Sequence, residues 1–221
     1  MPPVQPLDVA IPCENLLLQG SLFVPHGAFG LVAFAHGSGS SRFSSRNQRV
    51  AQFLNQARLG TLLVDLLTAE ESSRDLHTAE YRFDIPLLAR RLTAAVDWLR
   101  NEAVSRTLAL GLFGASTGAA AALMTAASRP QYIGAVVSRG GRPDLAGEAL
   151  RQVRAPTLLI VGGRDTDVIT LNERAAQQLY CQHRTIIIPE ATHLFEEPGK
   201  MDEVSRMASA WFVRYLGATD D

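Results

Sequence analysis

The stretch LALGLFGASTGAAAA, residues 108–122, reads as an apolar strand that turns at once into a helix. Gly114, Ser116 and Gly118 stand at the turn as G-x-S-x-G. A strand that reverses so sharply puts its apical residue in a strained conformation, and side chains at the flanking positions would strike neighbouring backbone. The alanine run 119–122 lets the following helix lie close to a sheet. A serine at such an apex sits at a helix N-terminus, where the N–H of the next residue, Thr117, and the helix dipole face any charge that develops. The bland alternative is a glycine-rich turn with a bystander serine.

Working outward, short apolar runs recur at 31–35, 61–67, 133–137, 156–161 and 185–188. They are apolar on both faces, as strands covered by helices must be. Amphipathic segments alternate with them. One carries Val50, Phe53, Leu54 and Ala57; another carries Ile85, Leu88, Leu92, Ala95, Val96 and Leu99, with Asp84 placed to cap it and Pro86 in its first turn. A last one carries Val204, Met207, Ala208, Trp211, Phe212 and Tyr215, read as a core face. This alternation predicts an α/β fold with a mostly parallel sheet flanked by helices. Residues 14–24 read as an antiparallel edge region interrupted at Gly20, and residues 68–82 as an irregular polar stretch, a surface loop or a small lid.

The chain has 221 residues, 47% hydrophobic and 19% charged, which suits one core, a single domain over residues 1–221, and no large cap. Lys plus Arg (21) nearly balances Asp plus Glu (22), which argues against a nucleic-acid or acidic-membrane partner. Cys13 and Cys181 form no metal or disulfide spacing, and the N-terminus lacks the pattern of a secretion signal. The expectation is a cytoplasmic protein, monomer or homodimer, that handles a small molecule without metal or organic cofactor.

Two further places gather chemistry. HGSGSSR, residues 36–42, follows the first parallel strand, and its glycines let backbone approach a ligand closely. The N–H of Ser38 is the candidate second oxyanion donor, and His36 is read as structural. A phosphate-cradling reading of this loop lacks the Lys-Ser/Thr that such loops use. Late in the chain, Asp165 lies just past one strand and His193 just past the next. The order Ser116, Asp165, His193, each at a strand end, predicts a nucleophile, an orienting acid and a general base. Asp167 competes for the acid role. His26, His77 and His183 are read as surface residues. Arg42 and Arg139 are candidates to bind a substrate carboxylate or phosphate; alternatively they pair with structural acids such as Asp144 or Glu197.

With these motifs in view, the sequence resembles the α/β-hydrolase superfamily, specifically the small, capless dienelactone hydrolase-like group. The resemblance runs through HGSGSSR (36–42), LLVDLLT (62–68), RFDIPLLARRL (82–92), FGASTGAAAAL (113–123), VVSRGGRPDLAG (136–147), LLIVGGRDTDV (158–168) and ATHLFEEPG (191–199). It implies Ser116, Asp165 and His193 as a triad, Ser38 and Thr117 as the oxyanion hole, and hydrolysis of a small-molecule ester without a cofactor. Dienelactone hydrolases proper use a cysteine nucleophile and a glutamate near the oxyanion loop. Here the elbow has serine and residues 36–42 contain no acid, which favours a carboxylesterase. Lactone or thioester hydrolysis, acyl transfer, and a non-catalytic module of the same fold are the alternatives. Some relatives are fused to phosphoribosyltransferase domains, and no such domain is read here.

Overall fold

The computed structural model describes residues 5–217. Eight strands, β1 (Leu7–Cys13), β2 (Leu16–Phe23), β3 (Gly30–Ala35), β4 (Leu59–Val64), β5 (Ala109–Ala115), β6 (Ile133–Arg139), β7 (Thr157–Gly162) and β8 (His183–Ile188), form one sheet. Its order is β1-β2-β4-β3-β5-β6-β7-β8. The first two pairings, β1 with β2 and β2 with β4, are antiparallel; all the others are parallel. β3, β4 and β7 are buried along their whole length, because helices cover both faces of the parallel part. β1 and β2 instead alternate buried and exposed positions, as antiparallel strands with one wet face do.

Helices α1 (Ser45–Gln56) and α6 (Lys200–Leu216) pack together on one face. Their Val50, Leu54, Val204, Ala208 and Phe212 meet Phe34, Phe113, Val137 and Ile160 of the sheet. The other face carries α3 (Ile85–Asn101) and α4 (Thr117–Ser128), whose Leu88, Leu92, Val96 and Ala120–Ala122 meet Leu31, Leu62, Leu112 and Val136. A kinked 3₁₀ segment, Pro143–Gln152, and α5 (Thr166–Ala176) complete that layer. Asp84 caps α3 through Leu87 N–H at 2.9 Å, with Pro86 in the first turn, as the sequence predicts. β2 runs unbroken through Gly20, which pairs with both Val9 and Val64. The interruption expected there is therefore absent. A side chain at this position would crowd Leu62 and Val9 at 3.1 Å, so glycine reflects close packing.

Residues 68–82 depart further from expectation. Most of them form a helix, α2 (Ala69–Thr78), with a complete capping box between Thr68 and Glu71. The chain leaves β3 through α1 toward β4, then returns through α2 and α3 to β5 on the other side of β3. Connections therefore diverge between β3 and β5, opening a crevice at their carboxyl ends, where open α/β sheets bind ligands.

Candidate active site

Ser116 stands in that crevice, between β5 and α4, with φ 50° and ψ −122°. This left-handed conformation is costly for a serine and is held by its surroundings. Its N–H donates to Arg139 O at 3.2 Å, and its carbonyl accepts from Ala119 and Arg142 N–H at 3.1 and 3.0 Å. A Cβ at Gly114 would collide with the backbone of Ala119, and one at Gly118 with the carbonyls of Ala35 and His36. The two glycines of the elbow are thus required by the close approach of α4 to β5 and β3.

The loop after β3 passes directly beside this apex. A Cβ at Gly37 would lie 3.0 Å from Ser116 Cβ, and Gly39 adopts a φ of +66°. The hydroxyls of Ser38 and Thr117 are hydrogen-bonded at 3.0 Å, which ties the two candidate donor residues together across the crevice. Among the described residues, neither the Ser38 nor the Thr117 backbone N–H donates a hydrogen bond, so both are open to an incoming oxygen. His36 is 7% exposed and fully engaged. Its Nε2 accepts from Leu66 N–H at 3.0 Å, so Nδ1 carries the proton and donates to Gly37 O at 3.0 Å. Burial lowers its pKa, which keeps the ring neutral. His36 holds the loop in shape, as its structural reading predicts.

Asp165 occupies the N-cap position of α5, yet its side chain makes no capping bond. Its Oδ2 instead accepts from His193 Nδ1 at 2.6 Å. The carboxylate is only slightly exposed and the imidazole about one-third. Asp167 points to solvent in the first turn of α5, so the choice between the two acids falls on Asp165. A proton on Nδ1 leaves Nε2 of His193 as the acceptor, the tautomer that a general base needs. His193 also lies against the end of β6, the strand beside the elbow strand: a Cβ at Gly140, the residue after Arg139, would sit 3.7 Å from its Cε1. Among the described residues no hydrogen bond joins Ser116 Oγ to His193. Such bonds commonly tighten only when substrate is bound. His26, His77 and His183 are exposed.

The two arginines part company. Arg42 is held by Asp65, through both its backbone N–H at 2.6 Å and its guanidinium. It has a structural acid as partner, although a different one from Asp144 or Glu197. Asp144 pairs with Arg142 at 2.8–2.9 Å. Arg139 is 5% exposed and has no ion pair among the described residues. Burial first, and then the neighbouring Arg46 guanidinium, push it down to about 10, so it still carries its charge at neutral pH.

A cavity of about 230 Å³ lies between the loop after β3 and helix α2. Leu67, Leu76 and Leu88 give it apolar walls; Ser38, Thr117 and Arg82 border it. This is below the roughly 300–1,000 Å³ of pockets that take drug-sized ligands. The α2 wall is firmly anchored. Glu71 forms a two-pronged pair with Arg91 at 2.5 and 2.6 Å, and buried Asp75 accepts from Tyr81 and Arg82 N–H at 2.7 and 3.0 Å. Sequence reasoning missed this wall, although Thr68-x-x-Glu71 is a helix-start signal. A larger groove of about 800 Å³ between β1, α3 and α4 is lined by Trp98, Met124 and Arg129, and Ser38, Ser116, Thr117, Asp165 and His193 are not in its lining. Size alone is a poor guide here, since the polar groups capable of chemistry converge elsewhere.

A capless α/β-hydrolase is the class that this sheet and crevice define. The sequence profile of the dienelactone hydrolase family matches residues 68–215, and the chain belongs to that family. A crystal structure of a dienelactone hydrolase from Anabaena variabilis is 56% identical, with a TM-score of 0.94 over 96% of this chain and 100% of that one. The lidless α/β serine hydrolase XC6422 of Xanthomonas campestris shares the fold at 19% identity, with a TM-score of 0.76 over 98% of both chains. The "Putative phosphoribosyl transferase Rv0571c" of Mycobacterium tuberculosis is 48% identical over 97% of this chain but 48% of its own length. This chain thus spans about half the length of that relative. Among the described residues no helix is long and apolar enough to cross a membrane.

Proposed function

We propose that this protein is a serine hydrolase that cleaves carboxylic esters of small or short-chain acids through an acyl-enzyme on Ser116. The observation that carries the reading is the hydrogen-bonded Asp165–His193 pair at the carboxyl ends of β7 and β8, beside a serine held at positive φ on β5. In this mechanism His193 Nε2 takes the Ser116 proton as Oγ attacks the ester carbonyl. The N–H groups of Ser38 and Thr117 stabilise the tetrahedral oxyanion. His193 then protonates the departing alcohol, and a water that it activates releases the acid. Asp165 holds the tautomer and stabilises the imidazolium between steps.

Lactone opening is the second reading, favoured by the Anabaena structure's description as a dienelactone hydrolase. The same acyl-enzyme serves both, with the alcohol remaining tethered to the acid in a lactone. Initial rates on p-nitrophenyl esters of increasing acyl length, beside a set of lactones, test both. The small cavity predicts the highest kcat/KM for short acyl groups and a loss of roughly three orders of magnitude or more in Ser116→Ala. Full activity in that variant would sink the reading.

A further inference from the structure

Arg139 ends β6 on the sheet face that carries α1 and α6, next in alternation to Val137. Its guanidinium reaches the first turn of α1, where Nη2 meets Asn47 Oδ1 at 3.4 Å. Its Nε has no hydrogen-bond partner, and the ring of Phe195, centred 5.9 Å away, is its other neighbour. Arg46, in the same first turn, brings a second guanidinium beside it. Arg46 Nε is also buried without a partner, and Nη1 reaches only Glu196, at 3.4 Å, whose carboxylate is mostly in solvent. No acidic residue stands in the first turn of α1, so the partial positive charge of that helix end is added to two guanidinium charges. Arg139 is thus a buried charge without a counter-charge, which is strongly unfavourable unless an anion joins it, and among the described residues the one acid paired with Arg46 is the exposed Glu196.

We propose that Arg139, Arg46 and the first turn of α1 form a binding site for a doubly charged tetrahedral oxyanion, a phosphate monoester group or inorganic phosphate. Two guanidinium forks and a helix N-terminus match the charge and the several acceptor oxygens of phosphate better than a single carboxylate. The backbone that carries Arg139 borders the catalytic crevice: Arg139 O accepts the Ser116 N–H, and a Cβ at the next residue, Gly140, would lie 3.7 Å from His193 Cε1. A substrate could carry the phosphate and have its ester cleaved at Ser116, and this arm alone rests on the hydrolase reading above.

Calorimetric titration of the purified protein with inorganic phosphate is the test, with Arg139→Met and Arg46→Gln beside the wild type. Phosphate binding is expected in the wild type, competed by sulfate but not by acetate, and weakened by at least about tenfold in each variant. Absence of binding in the wild type, or equal binding in Arg139→Met, overturns the site. Should Arg139→Met fail to fold by its melting curve, Arg46→Gln at its half-exposed position decides alone. A pair of esters differing only in a phosphate monoester group then separates the sources. A KM increase confined to the phosphorylated ester in Arg46→Gln, with kcat kept, assigns the anion to the substrate; an unchanged KM ratio assigns it to free phosphate. Because titration needs no turnover, Ser116→Ala binds phosphate like the wild type, so failure of the site and failure of the hydrolase reading are told apart.

Discussion

At the scale of single residues, each polar group of the crevice is fixed by something specific. Ser116 is held at positive φ because Gly114 and Gly118 let α4 approach β5 and β3, and Gly37 lets the neighbouring loop pass at van der Waals distance. Asp165 gives up the capping bond its position would ordinarily make and bonds His193 instead. This predicts that Asp165→Asn lowers kcat on a short-chain ester by roughly 10³–10⁴-fold, because the amide favours the wrong imidazole tautomer. Asp167→Asn should leave kcat within roughly twofold, as a surface change. Steady-state kinetics of the two variants check the assignment, and a reversed ranking would move the acid to Asp167. Ser116, Asp165 and His193 were legible because each ends an apolar strand. The fates of Arg42 and Arg139 were not, because a guanidinium's partner depends on which acids the fold brings near. Asp65 and Arg42 are far apart in sequence and meet only through the packing of β3 beside β4.

At the scale of elements, the strands and the main helices follow from hydrophobic period, while α2 does not. Its residues are polar almost throughout, so no apolar stripe announces it, and only Asp75 of the helix is buried. Capping and ion pairs hold it in place. The hydrogen bonds from Arg91 are the main cause that lowers the Glu71 pKa. For Asp75, burial is the largest influence and pushes upward. The donors of Tyr81 and Arg82 together outweigh it, leaving a net lowering. A carboxylate with a depressed folded pKa contributes stability that is fully present above its unfolded value and lost as pH falls through the folded one. With unfolded values near pH 4, α2 should therefore be anchored at neutral pH and loosen below roughly pH 4. Glu71→Gln is expected to cost about 1–3 kcal/mol at pH 7, roughly 2–12 °C in Tm, and to flatten the acid limb of Tm against pH. Melting curves from pH 7 down to 3 test this; an unchanged acid limb would show that Glu71 does not anchor the wall.

At the scale of the whole molecule, the strand order reverses between β3 and β5, where Ser116 stands, and α2 forms one wall of the cavity beside it. The parallel core was legible because burial on both faces leaves a continuous apolar signature. β1 was missed because it lies in a proline-rich start, with Pro12 inside the strand itself, and its pairing with β2 is what makes it a strand. The central claim is that the crevice contains an activated serine. A fluorophosphonate probe followed by intact-mass and peptide analysis measures that directly. The account predicts a single adduct on Ser116, absent from Ser116→Ala and slowed in His193→Ala. No adduct on the wild type, or the same adduct on Ser116→Ala, would contradict it.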